Sequence, residues 1–374
     1  MAVKTQGRVG DLADNLGAVQ ARAAQLRVRF EAAGAQVVDV PLLQPADTLL
    51  DLYGEDIRAR AYVTSDALRG EQMLRPDFTV PVVEAHMRHG AEPARYTYSG
   101  KVFRRQEHYP ERPNEYLQVG YEVFDREDAA AADAEVFALF ALQVRGLPLR
   151  AATGDIGILM AAVQGLNTTE KRKAALMRHI WRPRRFRALL DRFAGRTPVP
   201  ETRKKLLETE GDLTGSAPQL GKRRAAEVQA RVEALRADAK APPIAEHELL
   251  ALEALMAVRE TVPYAIEQMR DIAVDLPQIN PALDRLDART AAMKARGVDV
   301  ENLDFEASYG RTSMEYYDGF VFGFYAEARP DLPPIASGGR YDALTRQLGQ
   351  GEEIPAVGGV LRPYLMVQLE EARA

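Results

Sequence analysis

The sequence predicts an α+β fold, a mixed domain whose two halves are separated by a helical insertion. Three observations predict it. Residues 11–34 carry apolar side chains at helical spacing. Residues 96–104 and 116–124 read as strands. From about residue 165 to 262 the strand signals fade and charged helical patterns dominate, before strands resume around 305–325.

The elements follow in order. Leu12, Leu16, Val19, Ala23, Leu26 and Phe30 define the first helix, and Gly34 is its natural stop. Residues 36–40 read as a strand, cut by Pro41, which has no N–H to give a ladder. A polar loop with Pro110 and Pro113 joins the strands at 96–104 and 116–124. Alanine-rich residues 128–144 form a helix. The last part holds Gly338, Gly339, Gly349, Gly351, Gly358 and Gly359, then a terminal helix. The expected division is a core of residues 1–164 and 263–374, with 165–262 as the insertion. No internal repeat or low-complexity tract is visible.

Composition narrows the function. The 374 residues are 46% hydrophobic, enough for a sizeable core. A net charge of -5 gives no global sign of a nucleic-acid binder. With no cysteine, disulfides, thiolate metal sites and a thiol nucleophile are excluded. No apolar run approaches the roughly 18 residues of a membrane span. Residues 1–10 lack the apolar stretch of a signal peptide. A soluble cytoplasmic protein is expected.

The most informative strand is residues 116–124. Alternation puts Gln118, Gly120 and Glu122 on one face and Leu117, Val119, Tyr121 and Val123 on the other. The second face reads as core. The first reads as a pocket floor for a small polar molecule, with Gly120 marking where a ligand approaches the backbone. An ordinary solvent-facing strand surface is the alternative.

Asp77 and Thr79, two residues apart, suit an ammonium group, or equally a turn and a helix cap. Arg104 and Arg105 end a strand, and their forks suit carboxylate or phosphate. Residues 315–319 begin a second aromatic strand that runs on through Gly319 into Phe320, Val321 and Phe322. Residues 171–187 hold eight Lys or Arg and no Asp or Glu. They suit a nucleic acid or phosphate, or at least as well an acidic partner or plain solvent. The five histidines show no HExxH and no ligand-like cluster beyond His86 and His89, which read as a helix surface. Neither a Walker-type loop nor a dinucleotide fingerprint is present.

Together these segments resemble the class II aminoacyl-tRNA synthetase core of the histidyl type. Residues 37–41 sit where motif 1 places its proline. Residues 74–79 look like LRPEGT. Phe103 and Arg104, with Gln118 to Glu122, look like motif 2 and its following strand. Residues 313–322 resemble RGLDYYTGTVFE, residues 337–342 resemble GGRYDGL, and residues 355–358 begin motif 3. Six segments in order make a strong pattern. The resemblance implies a class II synthetase-like antiparallel sheet flanked by helices.

The departures matter as much. Gln106 falls on the glutamate of FRxE. Thr312 falls on the arginine of RGLDYY, with Arg311 one residue out of register and so on the other face of a strand. Leu365 falls on the arginine of GLER, and Pro363 is expected to disturb that helix start. Those charges stabilise the adenylation transition state. The sequence stops at Ala374, where a synthetase would continue into an anticodon-binding domain, and none is expected. The amino-acid side is better kept. Asp77, Thr79, Arg104, Gln118, Glu122, Tyr316 and Tyr317 fall on positions that imply a histidine site, although Asp77 is one methylene short and Phe78 replaces a glycine.

Pocket kept and nucleotide machinery lost is the pattern of the regulatory subunits of ATP phosphoribosyltransferase. That family implies no catalysis, no cofactor and no metal. It implies a homodimer that joins the short-form catalytic subunit in a hetero-oligomer, with histidine as feedback effector and no membrane or nucleic-acid partner. A truncated active histidyl-tRNA synthetase and a non-catalytic tRNA-binding factor are the alternatives.

Overall fold

The computed structural model describes residues 8–53, 60–106, 112–209, 224–310 and 316–372. Helix α1 (Arg8–Ala32) ends as its spacing predicts, with Gly34 in the left-handed region at φ +95°. Next come β1 (Gln36–Val37), β2 (Leu43–Pro45), α2 (Ala46–Tyr53), β3 (Val63–Asp66), β4 (Gly70–Leu74) and α3 (Thr79–His89). The long strands β5 (Ala94–Phe103) and β6 (Glu115–Phe124) lead to α4 (Ala129–Gln143), whose N-terminus is capped by Asp128 through the Ala131 N–H at 2.9 Å.

Strand β7 (Leu149–Asp155) opens a long helical stretch. It holds α5 (Ile156–Gly165), α6 (Glu170–Arg178), α7 (Pro183–Phe193), α8 (Glu201–Glu208), α9 (Ala225–Lys240) and α10 (Glu246–Ala257). After the short β8 (Arg259–Thr261) come α11 (Val262–Ile272) and α12 (Asn280–Ala295). The chain finishes with β9 (Asp304–Glu306), β10 (Phe320–Ala326), β11 (Ala336–Arg340), α13 (Asp342–Leu348), β12 (Ala356–Leu361) and α14 (Pro363–Glu371).

Nine strands form one sheet in the order β1-β5-β6-β12-β11-β10-β7-β9-β8. Every pairing is antiparallel except β1 with β5 and β7 with β9. A second sheet, β2-β4-β3, has no counterpart in the expectations from sequence. On one face, α1, α4 and α14 cover Val119, Tyr121 and Val123 of β6. Phe320, Phe322 and Phe324 alternate onto the same face of β10, where Phe137 of α4 lies 5.4–6.2 Å from all three rings. The other face carries Phe78, Tyr98, Tyr316, Tyr317 and Tyr341.

Three local expectations need correction. β1 stops at Val37, well before Pro41, because the Val40 carbonyl turns to accept from Arg75 Nη1 at 2.5 Å. β10 begins at Phe320 and not at residue 315. Asp318 N–H instead bonds to the Arg340 carbonyl, and its carboxylate accepts from Asp342 N–H at 3.0 Å and Ala343 N–H at 2.6 Å. The interior glycine of that strand is therefore Gly323. Pro363 does not disturb the last helix. It stands at the first helical position, where its missing N–H is no loss.

A buried ionic network ties both ends of the sequence together. Arg340 of β11 donates to Asp133 Oδ1 from Nε and Nη2 at 3.0 and 2.7 Å, and to Asp342 Oδ1 at 3.0 Å. Arg289 of α12 reaches Asp133 Oδ2 at 3.3 Å and Asp155 Oδ2 at 2.9 Å. Asp155 also caps α5 through the Gly157 N–H at 2.9 Å. Among the described residues no helix is long and apolar enough to cross a membrane.

Removing one partner of such a network strands the others in a low-dielectric interior. Arg340→Met is therefore expected to lower unfolding stability by about 3–5 kcal/mol in urea denaturation. A loss under about 1 kcal/mol would show that the network is not structurally required.

Candidate functional site

The site is built on β6. Gln118 and Glu122 are both 0% exposed, so their shared face is not solvated. Glu122 Oε1 accepts from Thr79 Oγ1 at 3.0 Å and Tyr98 OH at 2.8 Å, and Oε2 accepts from Tyr341 OH at 2.6 Å. Burial pushes this carboxyl up to about 7, and the three hydroxyl donors oppose that rise. Burial also raises the Tyr98 and Tyr341 hydroxyls well above their ordinary range, which keeps both protonated as donors.

Glycines make room here for the protein's own groups. A Cβ on Gly120 would lie 2.1 Å from Tyr98 Cζ, and one on Gly358 would lie 1.5 Å from Glu122 Oε2. At Gly120, then, it is the Tyr98 ring that approaches the backbone, where a ligand was expected.

Thr79 is the first residue of α3, but its hydroxyl turns to Glu122 and supplies no cap. Asp77 is buried, with Oδ1 3.5 Å from Val80 N and Oδ2 3.8 Å from Arg104 Nη2. Arg104 also donates from Nε to the Pro76 carbonyl at 2.6 Å. Between Asp77 and Thr79, the Phe78 ring stacks on Tyr98 at 4.2 Å and 7°. Arg75 covers its other side at 3.9 Å, held in turn by the Lys101 and Val40 carbonyls. The Arg75–Phe78–Tyr98 stack requires Gly100, whose Cβ would meet Arg75 Nη2 at 2.6 Å and Phe78 Cζ at 2.8 Å.

Tyr316 and Tyr317 pack edge to face at 4.9 Å, and Tyr316 meets Tyr341 at 6.0 Å and 86°. Burial raises the Tyr317 hydroxyl, with Glu122 and Asp77 raising it further and Tyr316 and Arg104 opposing. That places Tyr317 in the field of the acidic pair. Gln118 stands apart, for both polar atoms of its buried amide lack a hydrogen-bond partner among the described residues.

Thr79 and Glu122 are thus bonded directly, Asp77 faces Arg104, and the two tyrosines close one side. Tyr98 and Tyr341 were missed as members. Tyr98 had a signal, an aromatic residue opposite an in-strand glycine, but only once the register Tyr98–Gly120 was known.

On the side expected to have lost its nucleotide groups, Leu365 is buried in the core. The Gln106 N–H donates to Asn114 Oδ1 at 3.0 Å. Arg311 and Thr312 lie outside the described residues. His86 is not on a helix surface: it is buried, stacked on Phe124 at 4.0 Å, with Nδ1 3.1 Å from Tyr96 OH. The side chain of His89 lies outside the described residues. No group of three His, Cys, Asp or Glu able to hold a metal occurs among the described residues.

Comparison with known proteins bears on the family and the fold. A family profile described as histidyl-tRNA synthetase matches residues 12–241 and 229–363. The ATP phosphoribosyltransferase regulatory subunit of Brucella ovis is 31% identical over 353 residues, 89% of this chain and 93% of that one. Its Brucella abortus counterpart is also 31% identical, with 89% and 92% covered. A Bacillus halodurans structure described as an ATP phosphoribosyltransferase regulatory subunit/histidyl-tRNA synthetase superposes with TM-score 0.66 at 21% identity, covering 95% of this chain and 79% of that one. A histidine–tRNA ligase subunit from Alicyclobacillus acidocaldarius gives 0.60 at 22%, covering 100% and 97%. These two structures bear on the fold alone.

The raised carboxyl has a sign that can be checked. The ordinary value is 4.5 and the folded value about 7, so the folded chain holds the extra proton. This contribution is complete below about pH 4.5 and is lost as pH rises through about 7. Glu122→Gln is expected to remove a decline in unfolding stability of about 3 kcal/mol across that window. Asp318, raised by burial to about 7, keeps its own share. Denaturant titrations at several pH values measure it, and an unchanged slope in the variant would refute the assignment.

Proposed function

The chain belongs to the ATP phosphoribosyltransferase regulatory subunit family, which has a histidyl-tRNA synthetase-type core, and we propose that it is the non-catalytic regulatory subunit of such an enzyme. One observation carries the reading. The position of the motif 3 arginine is Leu365, fixed in the core, while the amino-acid side keeps buried polar groups. A leucine cannot supply the cation that transferring phosphates need, and electrostatic stabilisation of that kind usually contributes more than any other effect in such catalysis.

Histidine is the proposed effector. Asp77 receives the ammonium group. The unpartnered Gln118 amide supplies one donor and one acceptor. A carboxylate has roughly four acceptor sites, and three hydroxyls already point at Glu122. One lone pair therefore remains for an imidazole N–H, next to Tyr317. Arg104, Thr79 and Tyr316 complete the wall. Phe78 stands where the synthetase motif has glycine and narrows the site to a small amino acid.

The partner is the short-form catalytic subunit, met by a homodimer of this chain in a cytoplasmic hetero-oligomer. The two-residue edge strand β1 and its surroundings leave Val37, Leu42 and Leu43 about half exposed, which suits a self-contact. Residues 1–164 and 263–374 act as the core and 165–262 as the insertion. Histidine acts by binding the active and inhibited states with different affinity.

The test is a reconstitution with the short catalytic chain. Phosphoribosyltransferase turnover should depend on this chain and fall with histidine. Gln118→Leu should raise the histidine concentration needed by about tenfold or more, as expected for a buried hydrogen-bonding group. Turnover indifferent to this chain, or histidine-dependent ATP–pyrophosphate exchange by this chain alone, would overturn the reading. That exchange is the competing outcome favoured by the retained Arg104.

A further inference from the structure

The eight cations of residues 171–187 separate into two groups. Some are used inside the fold. Arg172 is buried and donates to Asp238 Oδ1 at 2.6 Å and the Pro242 carbonyl at 2.7 Å, pinning α6 to the end of α9. Lys173 pairs with Glu170 at 3.1 Å and Arg187 with Glu253 at 2.6 Å. Arg182 is engaged as well. Lys171, Arg178, Arg184 and Arg185 are exposed, and no hydrogen bond or ion pair satisfies them among the described residues; the three arginines cluster at the α6–α7 corner.

Arg184 and Arg185 sit where the local field already opposes them, while Arg178 stands in the last turn of α6 and crowds the same corner. Arg184 and Arg185 lie in the first turn of α7, the positive end of the helix dipole. That turn holds no acidic residue, and Arg182 at the N-cap makes no side-chain bond to its open N–H groups. His179, in the turn between α6 and α7, is driven below its ordinary range by burial and by Arg182, Arg185 and Arg178 around it. The corner is rigid, since Ile180 and Phe186 are fully buried in the core. Like charges held close together, two of them at the positive end of a helix, are complemented by a negative surface.

We infer that the α6–α7 corner, displaying Arg178, Arg184 and Arg185, is the surface on which an acidic patch of the catalytic subunit docks. The inference rests on the regulatory reading above. A nucleic acid fits less well. No exposed ring is offered for base stacking, because Trp181 packs on the core and Phe186 is buried. A compact set of planar guanidiniums matches a few carboxylates on a protein surface.

The experiment titrates the short catalytic chain into full-length wild-type and R178E/R184E/R185E protein at low and high salt. Reversing three charges should weaken binding by about tenfold or more at low salt, chiefly by slowing association, with the two proteins converging at high salt. Unchanged histidine binding by the variant alone verifies its fold. A variant that binds the catalytic chain like wild type, with the same salt dependence, overturns the docking surface but leaves the regulatory reading standing. Wild-type protein that does not bind the catalytic chain overturns both. Salt-dependent tRNA binding lost in the variant would overturn the choice of partner.

Discussion

A carboxylate without access to water needs donors, and Glu122 takes them from three separate stretches of chain. Thr79 begins α3, Tyr98 lies on β5, and Tyr341 follows β11. Each hydroxyl can reach only if its own element is in register. Tyr98 needs Gly120 opposite it, and Glu122 needs Gly358 beside it. Tyr341 stands between Arg340 and Asp342, which are held by Asp133 and by the Ala356 N–H. The site floor is thus the point on which β5, β6, β11, β12 and α3 agree.

The charge distribution carries the same logic outward. Arg289 and Arg340 are enclosed and answered by Asp133, Asp155 and Asp342. Their value is geometric: they lock α4, α5, α12 and β11 to one another, where a surface pair would contribute little. The nucleotide side shows the opposite, a leucine packed where a synthetase motif has an arginine. A buried polar cluster around Glu122 and a leucine at the motif 3 arginine position therefore coexist without conflict in one sheet.

The sequence revealed what period and punctuation can encode. Two-residue alternation placed Gln118 and Glu122 on one face of β6, and helical spacing with Gly34 bounded α1. The resemblance to the histidyl-type core supplied the topology, including a family of segments too weak to read singly. What stayed hidden depended on register or on length. The strands of the small β2-β4-β3 sheet have only three to five residues, too few for a periodic burial pattern to show. Tyr98 and Tyr341 meet Glu122 only through cross-strand pairing. His86 had a readable signal, since Val82, Val83 and His86 share helical spacing, but polarity argued for solvent. Asp318 and Gly319 looked like strand because the apolar run after them is strand, while the Asp318 carboxylate had other backbone to satisfy.

The Arg75–Phe78–Tyr98 stack and the tyrosine pair leave Asp77, Thr79, Gln118, Glu122, Tyr316 and Tyr317 each at or below 9% exposure. A solute cannot meet such groups by simple collision. For the histidine proposed to bind here, entry would wait for the aromatic wall to part, so arrival would be paced by breathing of the protein and departure by the same rare event. An effector bound as proposed would exchange slowly, and the complex it regulates would average over brief swings in supply and answer to sustained ones.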